Sequence, residues 1–225
     1  MSRELPILFN TEMVKAIARQ VNPKTATRRV IKGFMPDDAL WGYTAFTPEG
    51  SISCRGTFAD GYGEKFFKLP CRTGDILYVR ETWNFVYEMD GNDRFMEDTG
   101  HYVYYAEDPM PFAHWTDSGT GEHKDHMPWR PSIHMPKEAA RIWLKVTEVR
   151  AERLKDITHV DIIMEGVMPE YLNSRSGEKT REDFIRLWNS TVKKSELEIY
   201  GWNANPWVWV IEFERCEKPA ALGRG

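Results

Sequence analysis

The sequence predicts an α+β fold with a mostly antiparallel, barrel-like sheet, and three observations lead to this prediction. Candidate strands and helices mix along the chain without the regular βαβ repeat of a parallel sheet. Neither the glycine-rich dinucleotide fingerprint nor the Walker phosphate-binding sequence occurs. The 225 residues include 9 Trp, 9 Tyr and 11 Phe, and rings at this density suit a β-rich core or a site that stacks flat ligands.

The first elements are a strand, PILFN, and a helix that either Asn10 or Thr11 can cap. Pro23 ends this helix, because a proline disfavours helical backbone in the residue before it. The basic segment VNPKTATRRVIK, residues 21–32, therefore lies in the loop after the helix and runs into a strand at residues 28–31.

The middle of the chain is rich in turn signals. Residues 33–70 contain many Gly, Pro and aromatic residues and predict loops and short hairpins. The Gly74-Asp75 pair predicts a turn before a strand at residues 76–80, and HYVYYA predicts another strand. Residues 107–128 show little periodicity, which predicts a loop that serves as a lid or an insertion.

The last third alternates between strands and helices. The alternating apolar residues of RIWLKVTEV predict a long half-buried strand. Thr158 and Asp161 form a capping-box pair for a helix that Gly166 stops, and Thr180 is the predicted cap of the next helix. The run NPWVWVIEFERC predicts a buried closing strand that carries two tryptophans on one face.

Composition restricts both the compartment and the kind of ligand. The net charge is −4, so any nucleic-acid site has to be a local basic patch. The three cysteines, Cys54, Cys71 and Cys216, have no CxxC spacing, which is typical of a reducing cytosol. No apolar run is long enough for a membrane span or a signal peptide, and we expect a cytoplasmic protein.

The order of the first helix, the basic loop, GDILYVRE, LKDIT and WVWVIEFE resembles the ASCH family, a branch of the PUA-like superfamily. The family pattern G-x-K-x-x-E-x-R falls here on Asn22, Lys24, Thr27 and Arg29. The lysine and the arginine match the pattern, whereas the glycine and the glutamate do not. A threonine in place of the glutamate is similar to the subgroup of small ASCH proteins that hydrolyse N4-acylated cytidines.

The resemblance implies a PUA-like mixed, mostly antiparallel β-barrel that is flanked by helices and carries long loop insertions. We expect a single domain over residues 1–216, with insertions at about 33–70 and 84–135. Residues 217–225 are expected to form a disordered tail.

The resemblance also implies a catalytic set of Lys24, Thr27 and Glu165, the last in the helix after LKDIT. A threonine hydroxyl is a poor nucleophile until a base takes its proton. Lysine can serve as that base if burial or the charges of Arg28 and Arg29 lower its pKa. Glu165 could pass a proton to a leaving amine or activate water. Such a set needs no metal and no cofactor.

Further candidates for contact with a substrate are Arg28, Arg29 and the end of the strand at residues 76–80. There Arg80 could contact a phosphate and Trp83 could stack on a base, with Glu81 between them. The alternative interpretation of Trp83, which the sequence favours slightly, is a core residue that seals the barrel.

Two alternatives to hydrolysis of a modified nucleoside stay open. The protein could be an RNA-binding module or a ribonuclease whose basic loop holds the phosphates of RNA or another single-stranded nucleic acid. The insertions could instead form a surface for a protein partner.

His123 and His126 have a spacing that can bind zinc, but no cysteine lies at a ligand spacing, so we expect no metal site.

Overall fold

The computed structural model describes residues 2–92, 95–107, 115–116, 120–124, 127–168 and 176–220. The strands in this part of the chain are β1 (Glu4–Leu8), β2 (Ala26–Val30), β3 (Leu40–Gly42), β4 (Ser51–Phe58), β5 (Gly61–Lys68), β6 (Ile76–Arg80), β7 (Trp83–Met89), β8 (Phe95–Tyr104), β9 (Trp115–Thr116), β10 (His123–Lys124), β11 (Trp143–Arg153) and β12 (Trp207–Cys216). The α-helices are α1 (Thr11–Ala18), α2 (His159–Met164), α3 (Ser176–Thr191) and α4 (Leu197–Tyr200).

The described chain forms two compact units, each built from three segments. Unit 1 contains the residues up to Arg3, Gln20–Ile76 and Lys145–Glu214. Unit 2 contains Glu4–Arg19, Leu77–Leu144 and the residues from Arg215 onward. The expectation of one domain with two insertions stays a prediction.

Unit 1 contains two sets of neighbouring strands. Strands β11, β12 and β2 are neighbours in that order, and β12 pairs with β2 in antiparallel register from Val208↔Val30 to Glu212↔Ala26. Strands β3, β4 and β5 form a separate antiparallel sheet. Residues 33–70 therefore contain a three-stranded sheet, which is more regular than the loops and short hairpins that their composition predicts.

Both faces of the β12–β2 pair are packed. Helices α2 and α3 contribute to a core on one face, made of Leu154, Ile157, Ile162, Phe184, Trp188, Val208 and Val210. The other face carries the core of Ile31, Ile52, Leu69 and Trp209. Burial of such side chains stabilises the fold by about 25 cal/mol per Å² of apolar surface.

The alternation of strand side chains decides where the basic residues of β2 point. Arg28 lies opposite Val210, so its side chain is on the face of the sheet that packs against α2 and α3. Arg29 lies opposite Trp209, and Thr27 points to the same face as Arg29. Neighbouring residues of the basic segment thus serve opposite faces of one strand.

Unit 2 contains the first helix and the hairpin of β7 and β8. Asn10 caps α1, because its side-chain oxygen accepts the Met13 N–H at 2.9 Å. Strands β1 and β6 are neighbours, and β7 pairs with β8 in antiparallel register from Trp83↔Tyr104 onward. Of the two caps that the sequence allows for the first helix, the structure uses Asn10.

The predicted ends of α2 are confirmed, whereas the predicted start of α3 is wrong. Thr158 and Asp161 form a reciprocal capping box at the start of α2, and Gly166, with φ of +91°, ends the helix. Helix α3 begins at Ser176, and Thr180 is buried one turn inside it. The helix formers Glu178 and Lys179 extend the helix past the predicted cap.

The predicted α+β class with mostly antiparallel strands is confirmed. The pairings β12–β2, β3–β4, β4–β5, β7–β8 and β9–β10 are all antiparallel. No sheet in the described ranges closes into a barrel, so the barrel stays a prediction. Among the same residues, no helix has the length and apolar character to cross a membrane.

Asp75 fastens the first residues of the chain to the turn before β6. It accepts hydrogen bonds from the Arg3 N–H at 3.0 Å and the Arg72 N–H at 2.8 Å, and it pairs with the Arg3 guanidinium. Burial acts to raise the pKa of Asp75, but these hydrogen bonds and the Arg3 charge together hold the pKa below its ordinary value.

A carboxylate with a lowered pKa in the folded state stabilises that state above its unfolded pKa. This stabilisation is lost as the pH falls through the folded pKa. We therefore expect Asp75→Asn to cost about 1–3 kcal/mol at pH 7 and to weaken the loss of stability in acid. Urea denaturation between pH 2 and pH 7 measures both, and parallel curves for the two proteins would contradict this role.

Candidate active site

The segment before β2 has a shape that turns Lys24 inward. Asn22 has a left-handed backbone with φ of +48°, which asparagine tolerates better than most residues, and Pro23 follows it. The Thr25 N–H donates to the Met164 carbonyl at the end of α2, at 2.8 Å. The Phe213 N–H of β12 donates to the Thr25 carbonyl, also at 2.8 Å. The segment is thereby fixed between a helix end and a strand.

Lys24 is a fully buried lysine, with 0% of its side chain exposed. Its Nζ donates to the Ala26 carbonyl at 2.7 Å, the Glu165 carbonyl at 2.8 Å and Glu165 Oε2 at 2.8 Å. Three acceptors match the three donors of an ammonium group. Burial lowers the pKa of Lys24, Glu165 opposes this shift, and the positive charges of Arg29 and Arg28 add to the lowering.

Glu165 is the C-cap residue of α2 and uses both its backbone and its side chain in the site. Its carbonyl belongs to the last turn, where helix carbonyls lack partners within the helix and favour a cation. Its Oε2 accepts from Lys24, and its Oε1 accepts from Arg28 Nη1 at 3.2 Å. With 6% of the side chain exposed, this carboxylate is held between two cations.

The ion pairs continue from Arg28 along the sheet. Glu152 Oε1 accepts from Arg28 Nε at 3.1 Å and from Nη2 at 2.5 Å. Asp161 Oδ2 lies 3.8 Å from Arg28 Nη2. Arg150 then joins Glu152, at 3.3 Å, to Glu212, at 2.5 Å. Charges of opposite sign therefore alternate from Lys24 to Glu212, and each buried charge has a partner.

Thr27 lies one peptide group from the Lys24 ammonium. The carbonyl that Lys24 contacts belongs to Ala26, and the same peptide group continues into the Thr27 nitrogen. Thr27 is buried, and its hydroxyl has no hydrogen-bond partner within the part of the chain that the structure describes. Arg29 is half-buried on the same face of β2 as Thr27. The structure thus brings Lys24 and Glu165 into contact, and Thr27 follows in the chain directly after the Ala26 carbonyl that Lys24 contacts.

Arg80, Glu81 and Trp83 belong to unit 2, whereas the basic segment and Glu165 belong to unit 1. Glu81 is buried and accepts two hydrogen bonds from Arg141, at 2.9 and 3.0 Å. Burial raises the pKa of Glu81, and Arg141 opposes that shift. These hydrogen bonds pair the buried Glu81 carboxylate with a cation of the same unit.

Arg80 and Trp83 also have partners within the protein. The Arg80 guanidinium donates to the Ile133 carbonyl at 3.2 Å. Trp83 is buried, and the Arg130 guanidinium carbon lies 5.3 Å from its ring centroid. Trp83 therefore has the surroundings of a core residue, which is the alternative to a ring that stacks on a base.

Burial keeps two of the thiols protonated, and the described residues contain no cluster of metal ligands. Cys54 and Cys71 are buried, and burial raises the pKa of the Cys54 thiol to about 11 and that of the Cys71 thiol to about 12. Both groups are therefore protonated near neutral pH. His126 lies outside the described residues, and among those that are described no three His, Cys, Asp or Glu side chains group as metal ligands.

Sequence reasoning missed Glu152 and Arg150, and it assigned Asp161 only a capping role. The charged residues at positions 148, 150 and 152 alternate with apolar residues at the end of a predicted half-buried strand. That signal places three charges on one face of the strand, but it does not identify their partners in β2 and β12.

No protein-family model, no curated protein and no solved structure matches this chain.

Proposed function

We propose that the protein is a metal-independent hydrolase that removes the N-acyl group from a cytosine-type base in the cytoplasm, and that its fold is an ASCH variant of the PUA-like barrel. The observation that carries this proposal is the buried Lys24–Glu165 ion pair, whose lysine contacts the carbonyl of the peptide group that leads into the buried Thr27. A buried ion pair often stabilises a fold less than apolar residues of similar volume do. Perturbed lysines in such clusters are typical of functional sites.

Acyl transfer to Thr27 is the first half of the proposed reaction. The resting pair is an ammonium and a carboxylate, and transfer of one proton from Lys24 to Glu165 leaves a neutral amine and a carboxylic acid. The amine takes the hydroxyl proton while Thr27 Oγ1 attacks the acyl carbon. Arg29, on the same face as Thr27, or a backbone N–H steadies the oxyanion. The carbon–nitrogen bond then breaks, and Glu165 returns its proton to the leaving exocyclic amine.

Hydrolysis of the threonine ester is the second half. Glu165 accepts a proton from water, and the hydroxide attacks the ester carbon. The Thr27 oxygen leaves and takes a proton from Lys24. Return of the proton from Glu165 to Lys24 restores the ion pair. One water is consumed, and the products are a carboxylic acid and the unmodified base.

The burial of the cations favours this chemistry over phosphate binding. A phosphate-binding loop or a ribonuclease groove needs cations that reach a solvated backbone. The side chain of Lys24 has 0% exposure and that of Arg28 has 1%. Both are already paired with carboxylates, which a phosphate would have to displace.

Hydrolysis of N4-acetylcytidine and of analogues with longer acyl groups tests the proposal. We expect the wild-type protein to release cytidine in the presence of EDTA, as measured by chromatography. Lys24→Met should reduce the rate by at least about a hundredfold, since it removes the general base. Circular dichroism checks that the variant folds.

Arg55→Met is the matched control, because Arg55 pairs with Glu64 on the surface of unit 1. It should hydrolyse the substrates at the wild-type rate. A wild-type protein that is inert on the whole set, or a Lys24→Met variant as active as the wild type, would refute the proposal.

A further inference from the structure

A pocket of about 360 Å³ lies in unit 1 at the end of β2 away from Lys24. Its lining includes Gly33, Phe34, Arg153, Ile199, Tyr200 and Trp207, none of which takes part in the chemistry proposed above. This volume is at the lower end of the range for small-molecule sites, roughly 300–1,000 Å³. The pocket therefore suits one ring-sized group rather than a folded partner.

Three aromatic side chains give the pocket flat walls. Phe34 is 65% exposed although it is a large apolar residue. Trp207 is half-buried, with its Nε1–H donating to the Pro36 carbonyl at 3.1 Å, so its ring is fixed. Tyr200 completes the set. Phe34 is the exposed ring of the three, and an exposed aromatic ring is a surface on which an unpaired base can stack.

Arg153 adds a fixed, planar cation. Its guanidinium carbon lies 4.7 Å from the centroid of the Trp207 ring. The group is held by the Asn205 carbonyl at 3.0 Å and by Asp37 Oδ1 at 2.6 Å. A guanidinium in this position presents N–H donors beside the aromatic wall, which suits the acceptor edge of a heterocycle.

The Tyr200 hydroxyl supplies a second polar contact. It accepts a long hydrogen bond of 3.5 Å from the Gly33 N–H. Its own hydrogen has no acceptor in the described part of the chain, so it can donate to a ligand. Gly33 has φ of +104°, a conformation that favours glycine, and this allows the tight turn after β2.

We propose that this pocket binds an unpaired nucleobase. The base would stack on the exposed ring of Phe34, and its polar edge would accept hydrogen bonds from Arg153, whose guanidinium lies over the Trp207 ring, and from Tyr200. A purely aliphatic ligand would make no hydrogen bonds with these donors, whereas a heterocycle with acceptor atoms can. A flat heterocycle with acceptor atoms suits both the aromatic surface and the donors of Arg153 and Tyr200.

Together with the proposed function, on which this step rests, the pocket identifies the substrate class. Ala26, whose carbonyl contacts Lys24, and Ile31, which lines the pocket, are five residues apart in extended chain. That separation is about 16 Å at 3.3 Å per residue, which is longer than one nucleoside. We infer that the acylated cytosine belongs to a single-stranded oligonucleotide, a second base of which occupies the pocket.

Binding of short fluorescein-labelled oligonucleotides, measured by anisotropy, tests the pocket without any hydrolysis. Phe34→Ala should weaken binding about five- to a hundredfold, which is the effect of losing one stacked base. Phe34→Trp should restore it. Phe46→Ala is the matched control, since Phe46 is 89% exposed and lies outside the pocket, and it should bind as the wild type does.

RNA and DNA versions of the same sequence show which sugar is accepted. Absence of oligonucleotide binding by the wild type, or equal binding by Phe34→Ala and Phe46→Ala, overturns the pocket proposal. If binding depends on Phe34 but no acylated cytosine is hydrolysed, the pocket stands and the proposed function falls. If free N4-acetylcytidine reacts as fast as the same base within an oligonucleotide, the oligonucleotide substrate is refuted while the hydrolase stands.

Discussion

Replacing Glu165 by leucine is expected to lower the free energy of unfolding by about 3–5 kcal/mol, because it leaves a buried ammonium without its counter-charge. Lys24 would lose the carboxylate acceptor that it contacts at 2.8 Å, while the Ala26 and Glu165 carbonyls would stay in place. Arg28 would lose one carboxylate oxygen as well, although Glu152 would still hold it. No other single substitution in the ion-pair series removes partners from two buried cations at once.

The same substitution should change how stability depends on pH. Burial lowers the pKa of Lys24 from 10.5, and the Glu165 charge opposes this shift. Without the carboxylate, the pKa of Lys24 in the folded state falls further. The range of pH in which the unfolded chain binds a proton that the folded chain does not bind is therefore wider. Stability rises with pH wherever the unfolded state binds more protons. The variant should therefore regain stability as the pH rises toward 10.5, the ordinary pKa of lysine.

Urea denaturation at several pH values measures both effects. The control is Glu64→Leu, which breaks the surface pair with Arg55 and should cost about 1 kcal/mol or less. The double variant Lys24→Met/Glu165→Leu removes both charges together and should recover much of the lost stability. If Glu165→Leu were as stable as Glu64→Leu, the pair would not carry the energetic role that its burial implies.

Local features of the fold could be predicted from sequence because the chemistry that determines them is local. The capping box of Thr158 and Asp161 joins residues only three positions apart, and Gly166 ends the same helix through its own backbone. The prediction that Thr180 caps α3 was wrong because packing and neighbouring residues override a local signal. Thr180 has the right side chain, but the helix formers before it continue the helix, and tertiary packing buries the threonine.

Long-range features could be predicted only in part. Lys24 and Glu165 are 141 residues apart. The family resemblance predicted that they share one site, whereas no spacing in the sequence indicates it. The pairing of Arg28 with Glu152 spans 124 residues and has no sequence signature. The aromatic pocket likewise combines residues 31–35 with residues 153 and 199–207, so no single segment indicates it.

Replacing Thr27 by valine is expected to abolish hydrolysis while leaving the fold intact. Valine keeps the branched shape of threonine and removes only the hydroxyl, which is the proposed nucleophile. Loss of a catalytic nucleophile costs at least about a thousandfold in rate. Because the Thr27 hydroxyl has no hydrogen-bond partner in the described part of the chain, its removal leaves no buried group unsatisfied. Stability should stay within about 1 kcal/mol of the wild type.

Three measurements distinguish a nucleophile from a structural threonine. Mass spectrometry of wild-type protein quenched during turnover should show an added acyl group on the peptide that contains Thr27, and Thr27→Val should lack it. Thr27→Ser keeps a hydroxyl and should retain part of the activity, whereas a merely structural role would make serine and valine equivalent. A fully active Thr27→Val would remove Thr27 from the mechanism. The Lys24–Glu165 pair would then have to activate water directly, without a covalent intermediate.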